Sequence, residues 1–186
     1  MADLAVVAVV IEPPLSATNS LLRAVRSLVA AVGPGCAEWT PPEQYVAPVM
    51  VLEAPSQAAE ALTERLKLAF QGIEECPAQL GPLLMDGHGR ICSPVKLCGE
   101  NAPSLLDAVE AAARDLGFAG TATRDLAICV GSIVASLEAK VREYLSGLAD
   151  APLATWTMAG MCVQAPLGSG PLARVRFVPL KRNSAR

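Results

Sequence analysis

Histidine is nearly absent from this chain: among 186 residues only His88 carries an imidazole. A single imidazole excludes a paired acid and base that both titrate near neutrality. The six cysteines contain no Cys-x-x-Cys pair, so no zinc-ligand spacing forms and no metal is expected. Aromatics are scarce, with two Trp, two Tyr and three Phe, too few and too scattered for a base-stacking platform. Charge is thin as well, at 18% against roughly 25% in an average domain, and the net charge of -3 gives no reason to expect strong nucleic-acid binding. The one basic cluster, Lys181, Arg182 and Arg186, reads as a solvated tail. No apolar run reaches the ~20 residues of a membrane span; the N-terminal run stops at Glu12. Asp3 and the lack of basic opening residues argue against a signal or transit peptide. Neither a GxGxxG nor a Walker-type loop is present, and Gly33-Pro34-Gly35 and Gly168-Ser169-Gly170 are isolated turns.

What the chain has in quantity is apolar residues, 52% of the total, with a mean hydropathy of +0.39. Two explanations stand side by side: apolar surface turned toward other subunits, or a composition simply rich in Ala and Val. Scattered cysteines suit a reducing intracellular compartment rather than a disulfide framework. Cys129 and Cys162 lie in apolar strand-like runs, where cysteine packs as a small core residue. Met158 and Met161 near Trp156 read as core or interface packing. The length suits one domain, 1–186, built of two closely packed lobes.

Periodicity supplies the elements. LAVVAVVIEPP is an apolar, β-branched run ended by prolines, a buried central strand. Leu21, Leu22, Val25, Leu28, Val29 and Val32 recur at helical spacing until Gly33-Pro34-Gly35. YVAPVMVLE is a second strand, in which Pro48 demands an edge or a bulge. Leu62, Leu66, Phe70 and Ile73 mark a second helix. Two apolar runs flank the turn Asp86-Gly87-His88-Gly89 and predict a hairpin. A third helix follows, with Ser104 and Asp107 in capping-box spacing and Gly117 at its end. TRDLAICVG is a strand with Leu126, Ile128 and Val130 on one face and Asp125, Ala127 and Cys129 on the other. A fourth helix carries a Glu138–Arg142 pair, and ATWTMAGMCVQAPL and LARVRFVPL close the chain as two strands joined at Gly168-Ser169-Gly170.

The unit strand–helix–strand–strand occurs twice. That repetition predicts an α+β fold of two pseudo-symmetric lobes, mostly antiparallel sheet with helices outside. The equivalent strands YVAPVMVLE and RDLAICVGS should then line a cleft between the lobes.

This order, together with EWTPPEQYVAPVMVLE, TRDLAICVG and the closing ATWTMAGMCVQAPLGSGPLARVRFVPL, resembles the 2H phosphoesterase family, which includes the 2'-5' RNA ligase-like proteins. Trp39, Pro42 and Glu43 match the segment before the family's first His-x-Thr strand. In that family two histidines on facing strands act as acid and base at a phosphodiester, often a 2',3'-cyclic phosphate. The resemblance puts the first motif at Val46 and Pro48, or with a one-residue slip at Ala47 and Val49, and the second at Asp125 and Ala127. No imidazole or hydroxyl stands at any of these positions. A carboxylate at Asp125 would add like-charge repulsion beside a phosphodiester, and His88 lies on a hairpin turn and cannot supply a pair.

The expectation is a catalytically dead 2H-like protein without a cofactor. It would serve as a structural or protein-binding accessory subunit of a larger intracellular assembly. An alternative is a pseudoenzyme holding a nucleotide or RNA end in the cleft, where Lys96, Arg124, Arg174 and Arg176 are the candidate cations. A third is an active cyclic phosphodiesterase using other residues. Cytoplasm is the expected location, with the mitochondrial matrix as the alternative.

Overall fold

The computed structural model describes residues 4–55, 57–166 and 172–182, apart from the side chains of 172–175. The turn Gly168-Ser169-Gly170, the side chain of Arg174 and the tail residue Arg186 lie outside the described residues. The chain runs β1 (Leu4–Ile11), α1 (Leu15–Val32), β2 (Ala37–Trp39), β3 (Ala47–Pro55), α2 (Ala58–Phe70), β4 (Cys76–Leu80), β5 (Leu84–Met85) and β6 (Arg90–Leu97). It continues through α3 (Asn101–Asp115), β7 (Ala127–Ile133), α4 (Glu138–Ser146), β8 (Ala154–Met158), β9 (Gly160–Pro166) and β10 (Leu172–Pro179).

Two antiparallel sheets result. The first has the order β10-β9-β1-β3, the second β2-β7-β6-β4-β8 with β5 also on β6. Helices α2 and α3 lie together, with α2 against β9 and β10; α1 pairs with α4 and touches β8. The α+β architecture is thus as the repeat predicts, but each repeat unit is shared between lobes. β3 and α2 serve the first sheet while β4 and β6, which follow them, serve the second. In mirror fashion β7 and α4 serve the second sheet while β9 and β10 return to the first.

The helices form where apolar spacing asks for them. Leu21, Val25 and Leu28 of α1 are buried, as are Leu62, Leu66 and Phe70 of α2. Gly33 and Gly117 follow α1 and α3 with φ of 120° and 80°, a region glycine enters without strain. The Glu138–Arg142 ion pair forms at 2.7 Å. One apolar cluster runs through both sheets, from Val7 and Val9 on β1 to Ile91 on β6, Val109 on α3, Ile128 on β7 and Val163 on β9. Met158, Met161 and the half-buried Trp156 belong to it. Among the described residues no helix is long and apolar enough to cross a membrane.

Four expectations need correction. The α3 helix starts at Asn101, so Ser104 lies inside it and caps nothing; Asp107 pairs with Arg124 instead. The first arm of the hairpin is broken at Gly81, where a Cβ would come within 2.6 Å of Pro94 Cγ, and its two pieces β4 and β5 both pair with β6. ATWTMAGMCVQAPL is two strands: at Ala159 the chain leaves the second sheet, where β8 pairs with β4, and enters the first, where β9 pairs with β1. Finally, β7 begins at Ala127, leaving Asp125 in the bend before it.

Candidate functional site

The facing strands of the two lobes are β3 and β7, as the repeat required. Pro48 satisfies both of its conditions. β3 is the edge of its sheet, and a bulge opposite Val9 and Val10 falls between Pro48 and Met50. The lead-in to β7 is fastened across the junction: Thr123 N–H donates to the Val49 carbonyl at 2.8 Å, and Ala122 N–H donates to the Glu110 carboxylate of α3 at 3.0 Å. Gly120 packs so closely that a Cβ there would lie 2.6 Å from Leu52 Cδ2.

The motif positions fall where this junction places them. Val46 is half-buried and Pro48 exposed; Asp125 is exposed and Ala127 half-buried. The slipped pair, Ala47 and Val49, is fully buried in the core, which leaves Val46 and Pro48 as the outward positions. On the first sheet the face away from α2 holds Ala8, Val10 and Cys162, a small cluster with Val46 packed on it. Register sets Val10 between Pro48 and Cys162, and Cys162 opposite Phe177. On the second sheet the corresponding face pairs Cys92 with Cys129, Pro94 with Ala127, and Lys96 with Gln79. Aliphatic side chains, prolines and thiols therefore surround the motif positions, with Gln164 on the first face and Lys96 and Gln79 on the second as the polar side chains.

His88 is exposed on its turn, its amide donating to Asp86 Oδ1 at 2.9 Å. That turn sits at the far end of β7 from Asp125, where Gly89 O accepts the Ile133 amide at 2.8 Å.

The three candidate cations with described side chains, Lys96, Arg124 and Arg176, do not converge. Lys96 and Arg124 share a pocket of about 410 Å³ with Asp125 and Ala127, floored by Leu126 and walled by Pro103 and Leu106 of α3. Arg124 reaches the Asp107 carboxylate of α3 at 3.0 Å, an exposed pair of small energetic weight. Arg176 is not a cleft residue. A bulge after Arg174 pairs Arg174 with Gln164 but Arg176 with the buried Val163, so Arg176 lines a depression with Glu60 and Glu64 of α2. Strand alternation alone would give the two arginines one face, and the inserted residue shifts the register between them. Lys181 is engaged through its backbone with Ile73 and Glu75.

Sequence reasoning missed the thiol pair. None of the six cysteines is in a disulfide; Cys162 is buried as expected, but Cys129 is half-buried on the cleft face rather than in the core. Burial, reinforced by the adjoining Cys129 sulfur, pushes the Cys92 thiol up to about 12. No local pattern announces the pair, because α3 separates β6 from β7 in the chain.

No family model matches the sequence, and no curated protein matches it either. The fold does carry a signal. Escherichia coli LigT in its apo form has a TM-score of 0.67 over 96% of this chain and 99% of that chain, at 9% identity. The protein TT0787 of Thermus thermophilus gives 0.67 over 94% and 97%, at 10% identity. The fold is that of the 2H phosphoesterases. A crystal structure described as a phosphoesterase extends the likeness, with a TM-score of 0.55, 13% identity and coverage of 96% and 97%. LigT has also been crystallised with 3'-AMP, ATP, NADP+ and phosphate. The positions that the sequence resemblance assigns to the motifs hold valine and proline on one side and aspartate and alanine on the other, and a mainly apolar pocket lined in part by Lys96 and Arg124 includes the second pair.

Proposed function

We propose that the chain is a non-catalytic 2H-fold protein that works as a protein-binding accessory subunit of an intracellular assembly in a reducing compartment. One observation carries the reading: the positions that the resemblance assigns to the motifs hold Val46 and Pro48 on one side and Asp125 and Ala127 on the other, so the first side offers no titrating group, while the chain's only imidazole sits on an exposed turn. General acid–base work on a phosphodiester needs a titrating group on each side of phosphorus. A sheet face rich in exposed aliphatic residues adds support for binding protein. Leu4, Val6 and Val51, exposed by 68%, 41% and 57%, share it with Ala8, Val10 and the exposed Glu53 opposite Val6. Purified protein is expected to leave 2',3'-cyclic and 2'-5'-linked nucleotides intact, and measurable turnover would overturn the reading. Native purification is expected to recover companion proteins that are lost on Val51→Asp, with thermal unfolding unchanged.

A second reading is favoured by the pocket at Lys96 and Arg124: retained binding of a nucleotide, the ligand class found with LigT. Calorimetric titration with adenosine nucleotides, compared between the parent chain and Lys96→Ala, separates it from the first.

A further inference from the structure

The hydrogen-bond pattern between β6 and β7 fixes how Cys92 and Cys129 meet. Val95 N–H donates to Leu126 O at 2.7 Å, which makes Val95 opposite Leu126 a hydrogen-bonded rung. Rungs alternate in an antiparallel ladder. Pro94 opposite Ala127 is then non-hydrogen-bonded, as a residue without an N–H requires, and Ser93 opposite Ile128 is bonded. Cys92 opposite Cys129 is therefore a non-hydrogen-bonded rung, the kind in which Cα atoms approach to about 4.5 Å and side chains stand closest. That separation falls within the range a disulfide spans, about 4.4–6.8 Å. Both residues are half-buried, and Cys129 Sγ donates to the Gly131 carbonyl at 3.7 Å on the same side of the ladder. Cys129 shares the outward face of β7 with Ala127, two residues from the second motif position.

We propose that Cys92 and Cys129 form a dithiol site that a small-molecule disulfide of the glutathione class oxidises to a cross-strand disulfide on the cleft face. The two residues stand side by side, so either sulfur can open the exchange, and the order with Cys129 first stands for both. The Cys129 thiolate attacks one sulfur of the small disulfide, breaks its S–S bond and expels one small thiolate. Cys92 then attacks the Cys129 sulfur of the mixed disulfide, and its proton leaves with the second small thiol. Two protein thiols lose two electrons and two protons, and the small disulfide takes them up as two thiols. Closure ties β6 to β7 beside the bulge between Ile91 and Cys92. It removes both thiol donors, including the one that Cys129 gives to the Gly131 carbonyl at 3.7 Å.

The test uses the reduced full chain equilibrated with mixtures of reduced and oxidised glutathione, quenched in acid, alkylated and mapped by peptide mass. Two of the six cysteines are expected to lose alkylation together, with the loss of two hydrogens and one link between the Cys92 and Cys129 peptides. Cys92→Ser and Cys129→Ser are each expected to stop at a mixed disulfide or a free thiol. A link between Cys76 and Cys98, whose sulfurs also lie near one another, would overturn the proposal. So would stable mixed disulfides in the parent chain, or full alkylation of both residues at every mixture. The parent chain alone decides the matter, whatever the folding of the variants.

Discussion

Asp86 organises the 86–90 turn by itself. Its Oδ1 accepts the His88 and Arg90 amides at 2.9 Å, and Oδ2 accepts Arg90 Nε at 2.7 Å. Partial burial alone would raise its pKa, but the bonds from Arg90 and His88 and the Arg90 charge outweigh that and lower it. A carboxylate with a depressed folded pKa contributes stability that is complete above its unfolded value, about 3.9, and is lost as pH falls through the folded value. Asp86→Asn is therefore expected to flatten the fall of the urea midpoint below about pH 4. Equal losses in the parent and variant between about pH 5 and pH 3 would refute this. Gly160 is constrained by space rather than charge: a Cβ there would run into the Val178 carbonyl oxygen and come within 2.6 Å of Phe177 Cζ. Gly160→Ala should lower stability by about 1–3 kcal/mol, read from the urea midpoint.

At the scale of elements, one kink lets β6 gather two partners. Gly81 donates its amide to Pro94 O at 2.8 Å and accepts Ser93 Oγ at 2.7 Å, and between them β4 ends and β5 begins. Ser93 is fully buried, so Ser93→Ala leaves the Gly81 carbonyl without that partner. It should cost about 1–3 kcal/mol, checked by chemical denaturation. This kink also marks the limit of what the chain reveals on its own. Gly81-Pro82 could be read as punctuation, but that both flanking pieces return to β6 depends on a strand that comes later. The helices were legible because Leu21, Val25 and Leu28, or Leu62, Leu66 and Phe70, declare a buried stripe within one local segment. Bulges were not, since register is a property of a pair; hence the reassignment of Arg176 to the α2 side. Ala159 is no breaker, so the passage of the chain from one sheet to the other there was invisible too. Of the candidate site, the outward place of Ala127 was legible from strand alternation, but burial of Ala47 and Val49 had to choose Val46 and Pro48 over the one-residue slip, and the Cys92–Cys129 rung needed the long-range pairing of β6 with β7.

At the scale of the whole molecule, neither sheet is complete in either half of the sequence. The first sheet needs β1 and β3 from the beginning and β9 and β10 from the end, while the second takes its strands from between β2 and β8. Such interleaving ties folding to long-range closure, and a cross-link at Cys92 and Cys129 would act on that closure. In the chain-entropy picture, the bond encloses a loop of roughly 40 residues containing α3 and adds about 4 kcal/mol of stability. The gain arises in the unfolded chain, which loses freedom, while the native rung already holds the two residues side by side. Urea unfolding of the oxidised protein should therefore show a higher midpoint than the reduced protein, and the difference should vanish in the Cys92→Ser, Cys129→Ser double variant. An oxidised midpoint equal to or below the reduced one would mean that strain beside the Ile91–Cys92 bulge cancels the entropic gain. The dithiol would then be a reversible site of oxidation without being a staple of the fold.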